Sequence, residues 1–368
     1  MASMSRLALR RSLPVLGLAA ACSSQHAVAN QVTISFTQPT LDRWNYPFNQ
    51  SPGIRPVASI FGAFEPGGLS PDFDNRDAQF HVAFSTAAFV EPGLGAEKYT
   101  ITAATLTMMV ANNNQFRYEV DLLPWQSYLP PDHPEFICPA PVPCFNGRST
   151  CCPNPVAVPP LELYGVGFRN GFTPTTFQET SPYSPFGPFG KNHRSTFAKD
   201  RITGADVSNN VDLGFDPSPL ALGTTETVAV GALVPSNTLF TFALDVNDPA
   251  IQAYLRESVN TGIVHFMAAS LYPASEEGTG SFPEFYTKEN LLVQAGAAQA
   301  ARLTITVQVG SLPIVGDLNN SGNVDVQDLL ILLGAWGPCA EPDNCPADLN
   351  NSGSVDVQDL LILLANWG

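Results

Sequence analysis

Two stretches near the C-terminus set oxygen-bearing side chains at alternating positions: DLNNSGNVDVQDLLILLGAWG, residues 317–337, and DLNNSGSVDVQDLLILLANWG, residues 348–368. They differ only at Asn323/Ser354, Gly334/Ala365 and Ala335/Asn366. In the first copy Asp317, Asn319 and Ser321 fall at positions 1, 3 and 5 of a twelve-residue loop. Asn323 offers its backbone carbonyl at position 7, Asp325 acts at 9, directly or through water, and Asp328 closes the loop at 12. A chain wrapped around a hard cation turns every second residue inward, so this spacing is the chemistry of calcium ligation. Gly322 supplies the sharp turn, and Val324 is expected to anchor the loop to its partner. Asp348, Asn350, Ser352, Ser354, Asp356 and Asp359 repeat the set, with Gly353 and Val355 in the other two roles. Two calcium ions are expected.

Each loop runs into an apolar helix, Leu329, Leu330, Leu332, Leu333 and Trp336 in one copy and Leu360, Leu361, Leu363, Leu364 and Trp367 in the other. No amphipathic helix enters the first loop, because Leu312-Pro313-Ile314-Val315-Gly316 precedes it. Two such half-hands with Asp rather than Glu at position 12, from about Val315 to Gly368, closely resemble a type I dockerin domain. The resemblance implies a calcium-folded module that binds a cohesin-like domain on a scaffold or cell surface, commonly in assemblies that degrade polysaccharide. Ser321 and Ser352 depart from the family's usual Asp or Asn, which leaves three carboxylates per site. Val326-Gln327 and Val357-Gln358 stand where dockerins commonly carry a partner-reading Ser-Thr pair. The competing reading is a calcium-stabilised cap with no partner.

The elements that must position these loops carry their own constraints. The segment 317–368 holds eight acids and no Lys or Arg, so compaction requires cations. The whole chain has a formal charge of −16 and no basic run, which argues against nucleic acid or an anionic membrane as partner. Arg6, Arg10 and Arg11, the short apolar run Leu13 to Ala21 and the small-residue pattern Ala27-Val28-Ala29 read as an export signal over residues 1–29. A lipoprotein signal acylated at Cys22 is the alternative. No stretch reaches the about 20 apolar residues of a membrane span, so a secreted or cell-surface protein that is not membrane-spanning is expected. Even numbers of Cys in the exported chain favour disulfides: Cys339 with Cys345, and two bridges among Cys138, Cys144, Cys151 and Cys152 whose pairing stays open. Zinc held by those four thiolates is the other reading.

Residues 30–310 alternate apolar and polar residues in short runs, at Gln79–Phe84, Thr105–Val110, Phe116–Leu122, Leu239–Val246, Ile263–Ala269 and Arg302–Val309. The expectation is a mainly β fold, an antiparallel β-sandwich of jelly-roll type, with a small C-terminal α-helical calcium-binding domain at 317–368 after a linker at 311–316. One helix interrupts the strands, capped by Asp248 with Pro249 at its first position. Residues 124–200 are too rich in Pro for a central strand and read as a long insertion lying over the sandwich.

Landmarks in the large domain are similar to the DNRLRE β-sandwiches of secreted bacterial proteins, relatives of carbohydrate-binding modules. They are Ile101-Thr102-Ala103-Ala104-Thr105-Leu106-Thr107, Phe285-Tyr286-Thr287-Lys288-Glu289-Asn290 and Arg302-Leu303-Thr304-Ile305-Thr306-Val307, with Thr-Lys-Glu in place of Ser-Arg-Glu. The resemblance implies a non-catalytic module that touches glycans. Trp44, Tyr46 and Trp125, in loop-like sequence, are the candidate sugar-stacking residues, against ordinary burial as the other reading. A carbohydrate-active enzyme, a glycoside hydrolase or polysaccharide lyase carrying a dockerin, is the alternative. It requires two carboxylates facing across a cleft, and no motif pairs Asp245, Asp248, Glu257, Glu284 and Glu289. His81, His133, His193 and His265 are scattered without metal or triad spacing, and His81 reads as a packed strand residue. No catalytic residue is assigned.

Overall fold

The computed structural model describes residues 30–63, 72–141, 152, 157–274, 281–310, 314–319, 321, 323–339, 341 and 345–368. The expected signal 1–29, Cys22, Cys144, Cys151, Gly322 and the first half of the linker lie outside these residues. The chain divides into two compact units, Ala29–Leu312 and Pro313–Gly368.

The first unit is mainly β, with every named strand pair antiparallel. Its strands are β1 (Asn30–Phe36), β2 (Leu41–Asn45), β3 (Val57–Ser59), β4 (Gln79–Ser85), β5 (Tyr99–Met109) and β6 (Glu162–Phe168), followed by β7 (Thr196–Lys199), β8 (Ala221–Leu222), β9 (Leu239–Ala243), β10 (Ile263–Ala269), β11 (Glu284–Tyr286) and β12 (Arg302–Val309). One sheet runs β1-β12-β5-β9; a curled second sheet runs β2-β4-β10-β6-β7, with β8 on β6; β3 and β11 pair apart. Three helices interleave: α1 (Asn210–Leu213), α2 (Pro249–Thr261) and α3 (Leu291–Gln294).

Both large sheets turn one face to the same core. Ile34, Leu106, Phe242 and Ile305 of the first meet Phe80, Val82, Val264 and Phe266 of the second in one buried cluster. Ile101 and Ala104 are three residues apart yet both point inward, because Thr102 is an extra residue where the β5/β12 register shifts. Such a bulge restores the inward phase after an odd step. Asp248 caps α2 by accepting from the Ala250 and Ile251 amides, and Pro249 takes the first position.

Two expectations need correction. The stretch 124–200 is not strandless: β6 is a central strand of the second sheet and β7 its edge. Its Pro-rich parts remain loops, and from them Phe172 and Phe177 pack on Ala83 and Ile263 of that sheet. The alternation at Phe116–Leu122 does not make a strand. Phe116 and Tyr118 are buried and bond to Val234 and Ala232, but the partner segment is broken by Gly231, at φ 80, and ends at Pro235, so the pairing reduces to an isolated bridge. Cys138 and Cys152 are bonded, with Cα atoms 5.6 Å apart, which removes the four-thiolate zinc set; Cys339 and Cys345 are bonded as expected.

Two sets of opposite charges are buried inside this unit. Arg76 meets Glu162 through two bonds of 2.7 and 2.9 Å, and the Tyr164 hydroxyl donates to the same carboxylate at 3.0 Å. Arg194 binds Asp74 at 2.9 Å and approaches Asp77 at 4.0 Å. Arg76 and Glu162 are each 1% exposed, so removal of one strands the other in a dry interior. Glu162→Ala is therefore expected to lower unfolding free energy by about 3–5 kcal/mol, and simultaneous Arg76→Met to recover part of that loss. Denaturant unfolding checks this, and a loss under about 1 kcal/mol for Glu162→Ala contradicts a buried pair.

Candidate functional site

In the second unit each repeat builds the same object. The helices α4 (Val326–Gly334) and α5 (Val357–Ala365) are capped by Asp325 and Asp356, whose carboxylates accept from the Gln327 and Gln358 amides, both at 2.7 Å. Asp328 and Asp359 complete reciprocal capping boxes by accepting from the Asp325 and Asp356 amides at 2.9 and 2.8 Å. A D-x-x-D sequence therefore starts the helix and closes the loop at once.

Backbone amides and hydroxyls tie the oxygens of each loop together. The Ser321 amide donates to both Asp317 and Asn319 at 2.9 Å, and the Ser321 hydroxyl donates to the Asn323 carbonyl at 3.2 Å. In the second loop the Ser352 amide donates to Asp348 and Asn350 at 3.0 and 2.9 Å, and its hydroxyl to the Ser354 carbonyl at 3.1 Å. Asp328, fully buried, also accepts from the Leu318 and Asn319 amides, and Asp359 from the Asn350 amide. These bonds shape each loop around its carboxylate, amide, hydroxyl and carbonyl oxygens, while the three carboxylates of a loop do not lie within 4.8 Å of one another. A mixed set of hard oxygens at alternating positions fits a calcium ion.

The two copies are joined reciprocally. Val355 pairs with Gly337 in a short ladder, and the Gly368 amide donates to the Val324 carbonyl at 3.1 Å. Position 8 of each loop thus meets the end of the other repeat, and the two valines do not pair directly. Val324, Leu332, Val355 and Leu363 form the buried centre, with Leu318, Leu329, Leu349, Leu360 and the Cys339–Cys345 bridge around it. That packing leaves matched apolar residues outside. Val326 and Val357 are both 57% exposed, Leu330 and Leu361 62% and 61%, Leu333 and Leu364 47% and 46%, and Trp336 and Trp367 48% and 46%.

Within the first unit the candidate acids separate. Asp248 is a helix cap paired with Arg201, Asp245 holds a turn with Asn247, and Glu257 lines a hollow with Lys199, Asp200 and Arg201. Glu284 lies on β11 and Glu289 in the loop beyond it. The Lys288 ammonium stands between Asp42, Glu179 and Glu289, at 3.1 Å from Asp42, 2.5 Å from Glu179 and 3.5 Å from Glu289. Burial pushes the Asp42 carboxyl up to about 8, against the pull of Lys288. Those three acids can gather a cation, and a protein cation already sits among them. Trp44 is on β2 and stacks on Tyr46 at 4.5 Å, sharing the wall of one hollow with Glu284; Trp125 lies elsewhere, packed beside Leu129, Val211 and Leu271. His133 bonds only within its own loop, to the Glu135 amide, and His193 lies against Phe186.

Two histidines that are far apart in sequence are brought together. His81 Nε2 is 2.9 Å from His265 Nδ1, and His265 Nε2 is 2.9 Å from the Pro174 carbonyl. The carbonyl can only accept, so His265 donates from Nε2; with His265 neutral, its Nδ1 then accepts from His81 Nε2. The bond chain excludes two charged rings, and burial favours both neutral. It leaves His81 Nδ1 buried without a partner, with Arg43 nearby. Burial holds His265 down to about 4 and His81 well below its ordinary value. The chain matches no protein-family model and no curated protein.

Because the unfolded chain takes up these protons near pH 6.5, roughly, and the folded chain does not, this pair removes stability as pH falls below about 6.5 toward 4. Ring-nitrogen NMR on the folded protein is expected to show both imidazoles neutral at about pH 5, and a midpoint near 6.5 for either contradicts the bonded chain.

Proposed function

We propose that the protein is a secreted, calcium-dependent docking protein, whose C-terminal dockerin folds around two calcium ions and binds a cohesin-like domain. Its N-terminal β-sandwich is a non-catalytic, glycan-binding passenger brought into a polysaccharide-related assembly. The observation that carries this reading is the pairing of two near-identical ligand loops with two matched exposed apolar strips on α4 and α5. A calcium ion would supply the positive charge that lets each loop's acids share one site. Asp317, Asn319, Ser321, Asn323, Asp325 and Asp328 would hold one ion, and Asp348, Asn350, Ser352, Ser354, Asp356 and Asp359 the other. Exposed leucine, valine and tryptophan on so small a module call for a cover, and a protein partner is the cover a secreted chain can recruit.

Reciprocal joining of the repeats relates the two strips by an approximate two-fold axis, so one partner surface can seat on either. Gln327 and Gln358 bond to Asn319 and Asn350 in the loops, so the strips are better tested at Val326 with Leu330 and at Val357 with Leu361. With the cohesin-like partner recovered from the source secretome in calcium, changing either pair to Asp is expected to cost about twofold in affinity, and changing both pairs a hundredfold or more. Loss of binding from one pair alone contradicts equivalent faces; retention after both changes contradicts this surface as the docking site.

A further inference from the structure

Aromatic side chains accumulate at one end of the first unit beyond what its core requires. Trp44 and Tyr46 lie 20° from coplanar, and the indole N–H of Trp44 donates to the Ser59 carbonyl at 2.9 Å, which fixes the platform to β3. Phe61 backs Tyr46 at 5.4 Å and Phe282 backs Phe61 at 4.7 Å. Phe48, Phe73 and Phe189 meet pairwise at 5.7 to 5.8 Å and join the first group through Phe48, whose ring is 5.6 Å from Tyr46. Phe48 is 40% exposed and Phe189 58%, so this second group is held open to solvent. Between the groups lies a hollow of about 550 Å³, within the range of small-molecule sites.

The polar lining has one sign. Asp77 is buried in the floor, Glu284 accepts from the Ser59 hydroxyl at 3.0 Å and Asp72 stands exposed at the rim, while no Lys or Arg is among the described lining residues. Carboxylates so placed repel phosphate, uronate or nucleic acid. A purely hydrocarbon ligand would add no donor to Glu284 beyond the Ser59 hydroxyl or to Asp77 beyond Arg194. A sugar ring satisfies both parts of the wall, because its C–H faces stack on the open rings of Phe48 and Phe189, Trp44 being stacked already by Tyr46 and Arg55, while its hydroxyls donate to carboxylates.

We propose that the hollow walled by Trp44, Tyr46, Phe48, Phe189, Asp77 and Glu284 binds an uncharged oligosaccharide segment of a polysaccharide. The site rests on the reading of the sandwich as glycan-binding and is independent of the calcium loops. Burial pushes the Asp77 carboxyl up to about 7, even with Arg194 nearby, so it can donate to a sugar oxygen as well as accept.

The test uses the full chain in calcium on insoluble neutral polymers (cellulose, mannan, starch and chitin) and on anionic pectate and alginate, followed by tryptophan-fluorescence titration with oligosaccharides of any polymer that retains it. Retention on at least one neutral polymer is expected. Tyr46→Ala and Phe189→Ala are each expected to weaken it about tenfold or more, with Phe186→Ala, an exposed ring outside the hollow, unchanged. Because the Phe189 ring is largely in solvent, its loss should leave the melting temperature unaltered, which separates a lost contact from a lost fold. Retention on none of the neutral polymers, retention on anionic polymers only, or retention indifferent to both Tyr46→Ala and Phe189→Ala overturns the proposal. If Asp328→Ala abolishes retention while Tyr46→Ala does not, the glycan contact belongs to the C-terminal unit and this site is likewise overturned.

Discussion

Uncompensated acid governs the C-terminal unit. Its loops place six Asp side chains in a segment without a single Lys or Arg, and the two that close the loops are wholly buried. A buried carboxylate is tolerated only when hydrogen-bonded or paired. Asp328 and Asp359 meet the first condition through backbone amides at both ends of each loop, which ties loop closure to helix capping. The small apolar centre of Val324, Leu332, Val355 and Leu363 then follows from that closure. What remains is the mutual repulsion of the acids, which a divalent cation removes and no side chain in the segment can.

The N-terminal unit solves the same problem with protein cations. Arg76 and Arg194 neutralise Glu162 and Asp74 in the interior, and Lys288 stands among Asp42, Glu179 and Glu289. Stability of this unit therefore depends on arginine geometry and on the shared core of its two sheets. Asp72 and Glu284, which have no ion pair among the described residues, line an open aromatic hollow together with Asp77, which Arg194 approaches at 4.0 Å.

Sequence patterning revealed elements whose signal is local. β10 and β12, the cap of α2 and the alternation within β5 are visible because one face is apolar and the boundaries carry Gly, Pro or Asp. β6 was hidden because it is buried on both faces and so shows no alternation. Its glycines, which read as loop residues, are there because a Cβ on Gly165 would lie 2.7 Å from the Tyr254 ring. The two C-terminal repeats were legible for the same local reason, as the polar side chains of each loop and the acid that closes it lie within twelve consecutive residues. The His81–His265 pair was not: it exists only because the β4/β10 register sets His265 opposite Ala83 and Met267 opposite His81, making the two rings diagonal neighbours on one face. Asp72 and Asp77 were likewise hidden, although the run Asp72-Phe73-Asp74-Asn75-Arg76-Asp77 was an available signal.

The central claim is that cation binding, and not apolar packing alone, closes the C-terminal unit. Amide hydrogen exchange on the intact protein, with calcium and then with chelator, tests it most directly. The account predicts that chelation strips protection from α4 and α5, Leu332 and Leu363 included, while β5, β10 and β12 keep theirs. Equal protection of both helices in the two conditions would contradict it.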